Sequence, residues 1–326
     1  MVKPSKLIIQ FQEWCHSLDK ADRWCIMITA DPDALGAAMA LRRLLSRRAP
    51  HITIARTNEV TRPDNLAMIR YLRIPVEAWQ PEMRENFTHF AMVDSQPHHN
   101  IAFEGIPFSL VIDHHPLLPE HPVNAAYTDI RPEYGATCTM MARYFHALKI
   151  RPSRLLSTGM LYGIRTDTAA FERSGGMSDL QAYQWLSRHA DTTILRRILR
   201  SEYLQEWLPL FSRAFRSLHA CPSGGAHAHV SEVNSPDLLV AIADFFTRVH
   251  GLKWVAVSGV YNETVIIIFR GDGSRDMGVL AAKTFQCFGS AGGHRTLARA
   301  EFPCAIIKDG LTANFVLERL KNKKKT

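Results

Sequence analysis

Short apolar runs recur through the first third of the chain, and several of them end on an acidic residue. Trp24-Cys25-Ile26-Met27-Ile28-Thr29-Ala30 leads into Asp31-Pro32-Asp33, His89-Phe90-Ala91-Met92-Val93 into Asp94, and Phe108-Ser109-Leu110-Val111-Ile112 into Asp113-His114-His115-Pro116. Apolar runs bounded by turn formers are expected of buried strands, and His51-Ile52-Thr53-Ile54-Ala55 reads as a further strand. Leu35, Met39, Leu41, Leu44 and Leu45 recur at helical spacing with Asp33 as candidate cap, and Asn65 to Leu72 reads as a second helix. Strands alternating with helices predict an α/β domain with a parallel sheet and helices on both faces. In such sheets ligands bind outside the carboxyl ends of the strands, where the acidic residues are expected. The stretch Leu161-Tyr162-Gly163-Ile164-Arg165-Thr166 is expected to bring Asp167 to a strand end in the same way.

The pattern then changes. Residues 136 to about 220 otherwise read as helical, through Met140, Met141, Tyr144, Leu148, Leu155, Leu156, Met160 and Leu161. The small, turn-forming stretch Cys221-Pro222-Ser223-Gly224-Gly225 predicts a boundary. Beyond it, Ala228-His229-Val230, Trp254 to Val260 and Thr264 to Arg270 read as strands, with helices over 235–249, 276–286 and 310–321. The expected organisation is a catalytic domain over 1–200, a helical connector and linker over 201–224, a smaller α/β domain over 225–320 and a basic tail over 321–326.

No run approaches the ~18 consecutive apolar residues of a membrane span, and the N-terminal apolar stretch is too short for a signal peptide. A cytoplasmic protein with no membrane partner is expected. The six cysteines are scattered without a C-x-x-C pair, which argues against both a zinc site and a disulfide framework. The net charge is +8, with Arg42, Arg43, Arg47 and Arg48 at one predicted helix end and Lys321, Lys323, Lys324 and Lys325 in the tail. Such clusters are common as solvated helix ends and tails, but the overall sign favours anionic substrates.

A single Asp at a strand end is ordinarily a cap or turn former. Asp31, Asp33, Asp94, Asp113 and Asp167 together with His114 and His115 read differently, because burying like charges side by side is prohibitive unless a cation neutralises them. Carboxylate and imidazole donors without thiolate select manganese or magnesium over zinc. Two such ions ~3.5–4 Å apart can clamp a phosphate and activate a water, which is phosphodiester hydrolysis. Gly289, Gly292 and Gly293 would let backbone amides approach an anion, with His294 as a further donor and Arg270 able to grip a phosphate.

In chain order, Asp31-Pro32-Asp33-Ala34-Leu35-Gly36, Val93-Asp94, Asp113-His114-His115, Gly163 to Thr168 and Gly289-Ser290-Ala291-Gly292-Gly293-His294 resemble the motifs of the DHH phosphoesterase superfamily. The last is similar to the GGH loop of the DHH-associated C-terminal domain, so the resemblance spans roughly residues 22 to 306. It implies that Asp33, Asp94, His114 and Asp167 hold one metal, and that Asp94 bridges to a second metal shared with Asp31. It also implies that His115 contacts the substrate phosphate and that Asp113 orients the His pair. Length and the single short second domain look most like the bacterial oligoribonuclease (nano-RNase) and phosphoadenosine-phosphate phosphatase branch. The implied function is Mn2+-dependent hydrolysis, with Mg2+ as an alternative ion, of short RNA or linear dinucleotides to nucleoside monophosphates. A homodimer is left open. One residue departs from the pattern: the family usually carries a His four residues before the first Asp, and here that position is Met27. A thioether is a poor ligand for a hard cation. A two-metal enzyme with one weak site, a single-metal enzyme, and a nucleotide-binding or sensory protein with weak or no catalysis all remain open.

Overall fold

A computed structural model describes residues 6–171, 176–201, 203–307 and 312–321. The chain divides into two compact units, Met1–Ser201 and Glu202–Thr326.

The first unit opens with α1 (Lys6–His16), a helix not expected from the sequence. There follow β1 (Arg23–Ile28), α2 (Pro32–Leu45), β2 (His51–Arg56), α3 (Pro63–Leu72), β3 (Val76–Ala78), β4 (His89–Val93), β5 (Phe108–Asp113) and β6 (Tyr127–Ile130). Helices α4 (Thr137–Ala147), α5 (Arg154–Asp167), α6 (Met177–Ser187) and α7 (Thr192–Leu199) complete the unit. All six strands pair in parallel in the order β3-β2-β1-β4-β5-β6.

Alternation along the strands separates the two faces. Trp24, Ile26 and Ile28 of β1 join Leu110 and Ile112 of β5 in a core cluster to which each of α1 to α7 contributes. Cys25 and Met27 point the other way, with Ala55, Phe90, Met92, Phe103, Phe108 and Val111. That second cluster contains no helical residue from α1 to α7; Trp79, Phe87 and Ile106 from turns and loops help to close it. The expectation of helices on both faces is therefore corrected. The connections on this side are short 3-10 turns, Pro81–Asn86 and Ile101–Phe103, too brief for an amphipathic α-helix. The helices after residue 136 pack within the first unit, where Met140, Met141, Leu156, Met160 and Leu161 bury in its core.

The second unit contains α8 (Leu208–Arg216), β7 (His219–Cys221), β8 (Gly225–Glu232), α9 (Pro236–Phe246), β9 (Trp254–Tyr261), β10 (Thr264–Gly271), α10 (Met277–Phe285), β11 (Ser290–Gly293), β12 (Leu297–Pro303) and α11 (Thr312–Lys321). Its sheet runs β11-β12-β10-β9-β8-β7, with β8 and β9 parallel and the other pairs antiparallel. Segment 201–224 was expected to be a connector and linker. Instead Trp207, Phe211 and Ala214 bury in a cluster with Val230, Leu239 and Val257 of this unit. Cys221 to Gly225 is the turn of the β7–β8 hairpin, so its small residues mark a reversal within the sheet. Of the expected basic tail, residues 322–326 lie outside the described residues. Among the described residues no helix is long and apolar enough to cross a membrane.

Candidate metal centre

The order of the parallel strands reverses between β1 and β4, and the loops leaving those neighbours part at that point. Asp31 and Asp33 follow β1, Asp94 follows β4, and Asp113 closes β5 immediately before His114 and His115. Asp167 reaches the same place differently from the expectation. It is the last residue of α5, a helix, not the end of a strand. Ligand atoms from Asp33, Asp94, His114 and Asp167 all lie within 4.8 Å of one another.

Each of these donors has a local support. Asp31, not Asp33, caps α2, its Oδ1 accepting from the Ala34 amide at 2.9 Å. Asp33 sits in the first turn, and its carboxylate accepts from the amides of Thr137 (2.6 Å) and Cys138 (2.9 Å) at the start of α4. Those amides are helix-terminal donors with no partner inside their own helix, so they suit an anion. Asp94 turns out of β4 in the left-handed region, φ 60°, a conformation Asp tolerates better than most residues. Its Oδ1 accepts from the Thr137 hydroxyl at 2.9 Å.

His114 shows how the residues fit a cation. Its Nδ1 lies 3.2 Å from the carbonyl oxygen of Tyr134 and can only donate there, which leaves Nε2 as the ligand atom. Nε2 lies 3.1 Å from Asp167 Oδ2 and 3.4 Å from Asp94 Oδ1. It is buried and meets neither at a hydrogen-bonding angle. An imidazole nitrogen lodged between carboxylates in this way is placed for a shared positive charge.

The electrostatics agree. Burial, then the charge of Asp167, raises Asp33; burial, then Asp33, Asp31 and Asp167, pushes Asp94 well above its ordinary range. Asp31 is pushed up to about 7 by burial and by Asp167, against the opposing Ala34 amide. Burial alone would lower His114, but Asp167, Asp33 and Asp113 together raise it to about 9, so Nε2 takes a proton where no other cation is at hand. Asp113 is the exception. Burial would raise it, yet His115 and Gln96 hold it below the usual carboxylate range.

Asp113 and His115 form a separate pair, His115 Nδ1 donating to Asp113 Oδ1 at 2.8 Å. Gln96 donates to the other carboxylate oxygen at 2.8 Å. His99, not expected at the site, offers a donor atom within 4.8 Å of those of Asp113 and His115. Its Nδ1 accepts from the Gln96 amide at 3.1 Å, which leaves the proton on Nε2 and neither nitrogen bare. Asp31 joins none of the close donor groups found among the described residues, and its loop is tied to Asn58 through both Ala30 backbone groups. Met27 is fully buried in the apolar cluster of the sheet's other face. Gln96 and His99 stood two and five residues beyond Asp94, close enough to have been singled out. Thr137, Tyr134 and Asn58 carried no such signal, because Thr137 and Tyr134 act through backbone or hydroxyl atoms, the Asn58 side chain binds the backbone of Ala30, and all three reach across long sequence distances.

In the second unit the GGH segment forms β11 and its exit. Gly292 has open space where a Cβ would be; Gly293, at φ 146°, would bring one within 2.5 Å of the Leu297 carbonyl. The His294 amide donates to Leu297 O at 2.7 Å, and the His294 and Arg295 carbonyls accept from Gly278 and Met277 at the start of α10. The loop's own carbonyls thus occupy two helix-terminal amides, while the His294 side chain is exposed. Arg270 was expected to grip phosphate. Its Nε donates to Asp244 at 2.7 Å and its Nη1 to the Phe269 carbonyl at 3.1 Å, so two of its N–H groups are engaged within the unit.

Residues 23–164, just under half of the chain, match the DHH family, N-terminal domain. Over 316 residues it is 29% identical to the uncharacterized protein MJ1633 of Methanocaldococcus jannaschii, covering 94% of this chain and 65% of that one. The chain thus spans just under two thirds of that relative's length. An exopolyphosphatase-related protein from Bacteroides fragilis has a similar fold, with TM-score 0.74 and 16% identity over 97% of this chain and 98% of that one. RecJ from Thermus thermophilus, solved in complex with Mn2+, aligns at TM-score 0.53 and 14% identity over 97% of this chain and 55% of its own.

Proposed function

We propose that this chain is a cytoplasmic, divalent-metal-dependent phosphoesterase that hydrolyses short oligoribonucleotides or linear dinucleotides to nucleoside monophosphates, with phosphoadenosine phosphate as a further substrate. The observation that carries the reading is His114 Nε2, buried between Asp94 and Asp167 without a hydrogen-bond partner. Asp33, Asp94, His114 and Asp167 would hold the ion, and the imidazole favours Mn2+ over Mg2+. When bound, the ion supplies Lewis-acid polarisation of a phosphate and a more acidic water.

The chain's own residues do the remaining work. His115, with 44% of its side chain exposed, is the contact for the phosphate, and the buried Asp113 sets the ring's tautomer through Nδ1. The open space at Gly292, beside Gly293 and His294, is the substrate contact of the second unit. Arg270 assists only if its pairing with Asp244 gives way. The net charge of +8 draws polyanions toward the protein.

The test is product release from 5′-phosphorylated diadenylate, phosphoadenosine phosphate and inorganic polyphosphate, each with Mn2+ and with Mg2+. Polyphosphate is included because a chain of similar fold is described as exopolyphosphatase-related. Faster AMP release from diadenylate with Mn2+ is the expected result. Turnover of polyphosphate alone would replace the nucleotide reading. No turnover of any of the three would leave a nucleotide-binding or sensory protein, the reading that buried Met27 favours.

A further inference from the structure

We propose that Gln96 is a positioning residue that fixes the imidazole of His115 through Asp113, and that an amide, not an acid, is required there. The placement stands by itself; only its kinetic consequence rests on the phosphoesterase reading. Gln96 lies two residues beyond Asp94 and is fully buried. Its Nε2 meets Asp113 Oδ2 at 2.8 Å, the His115 carbonyl at 3.1 Å and the Pro116 carbonyl at 3.4 Å. Three acceptors around one atom identify it as the amide nitrogen, since the reversed amide would set oxygen against a carboxylate and two carbonyls.

The other end of the amide makes nothing. Oε1 is buried without a hydrogen-bond partner, which is unfavourable by itself. All the bonding of this side chain is therefore directed at one carboxylate and the loop behind it. Asp113 in turn accepts from His115 Nδ1 at 2.8 Å, so a continuous chain runs from the exit of β4 to the ring at the exit of β5. Without Nε2, Asp113 would hold a bare buried oxygen and be free to rotate, and His115 would lose its fixed partner. His114 has an independent support, the Tyr134 carbonyl. The two adjacent imidazoles can thus be told apart.

Gln96→Met keeps the shape and removes both amide hydrogens; Gln96→Glu keeps the shape and sets an acid against Asp113. The Nδ1–H signals of His114 and His115 are followed by 15N-edited NMR, assigned by their loss in His114→Gln and His115→Gln. In both Gln96 variants the His115 signal is expected to vanish while that of His114 persists. Mn2+ affinity should stay within about threefold while kcat on diadenylate falls roughly 10–100-fold, the range seen when a residue orienting a site group is lost. If one variant does not fold, the other decides. A His115 signal unchanged in a folded variant, or both signals lost together, overturns the proposal. Absence of turnover in the parent would refute the phosphoesterase reading and leave the NMR comparison to judge Gln96.

Discussion

Gly163 of α5 lies so close to Asp33 of α2 that a Cβ at position 163 would stand 2.9 Å from Asp33 Oδ1 and 3.0 Å from its Cα. The same atom would meet Cys138 Sγ at 2.8 Å. Only a residue without a side chain lets the Asp33 carboxylate lie between α5 and the first amides of α4. Ala is intrinsically better in a helix than Gly by ~1 kcal/mol, so Gly163→Ala measures whether crowding outweighs propensity. Overpacking should win by ~1–3 kcal/mol, and Mn2+ affinity should fall at least about tenfold as Asp33 shifts. Thermal melts and metal titration check this; native metal affinity in the variant would refute the contact's role.

Asp94 belongs to the candidate donor group with Asp33, His114 and Asp167 and holds a left-handed backbone. Asp94→Asn keeps the shape and the tolerance for that backbone but removes one of the crowded charges. Without metal the variant should melt higher than the parent, and the Mn2+-induced rise in Tm should disappear along with turnover. Asp167→Ala should behave similarly, and Asp113→Asn should be milder in metal binding. Near-native turnover in Asp94→Asn would sink the proposed ligand set.

The raised carboxylates and His114 give the metal-free protein a characteristic response to pH. Asp31, at about 7, and Asp33 and Asp94, also raised, favour the protonated form in the folded chain. Their stabilising effect is intact below the ordinary carboxylate pKa of about 4 and is lost as pH rises through the folded values. His114, raised to about 9, adds stability fully present below its unfolded value and lost as pH rises to about 9. Asp113, lowered, contributes above its unfolded value and loses that contribution only in acid. The metal-free Tm should therefore fall between about pH 5 and 9, and the Mn2+-induced shift should grow over the same interval as the ligands lose their protons. Paired melts across that range decide it, and a metal-free Tm that climbs steadily would contradict the assignment.

Met27 stands where the resemblance to the DHH motifs implies a histidine, yet it is fully buried among Cys25, Phe90, Met92 and Phe103. Met27→His should cost about 1–3 kcal/mol without metal, as an unsatisfied buried polar group does. If the ring reaches a cation near Asp31 and Asp94, Mn2+ should restore that loss by linkage and raise Tm more in the variant than in the parent. An equal or smaller shift would mean that the chain holds a single ion.

The sheet-forming runs, the acidic residues at their ends and the candidate ligands were legible in the sequence. Local reading placed Asp31, Asp33, Asp94, Asp113 and the two histidines after apolar runs, because apolar alternation and turn chemistry act over a few residues. The choice of Asp33, Asp94, His114 and Asp167 as one ligand set came instead from the resemblance to the DHH motifs. The local rules failed where local signals are degenerate. Asp167 follows an apolar stretch that suits a helix as well as a strand, and Asp31 and Asp33 are equally good caps until packing turns one of them toward α4. The turn-rich Cys221 to Gly225 marks a hairpin as readily as a boundary, and the distinction came only from where Trp207 and Phe211 bury. What tertiary structure alone decided is convergence. Thr137 meets Asp33 across 104 positions, Tyr134 fixes the tautomer of His114 with a backbone oxygen, and Arg270 turns to Asp244 rather than to solvent. Those relationships depend on which element ends face one another, and side-chain and backbone donors acquire partners only after the sheet order has brought distant loops to one point.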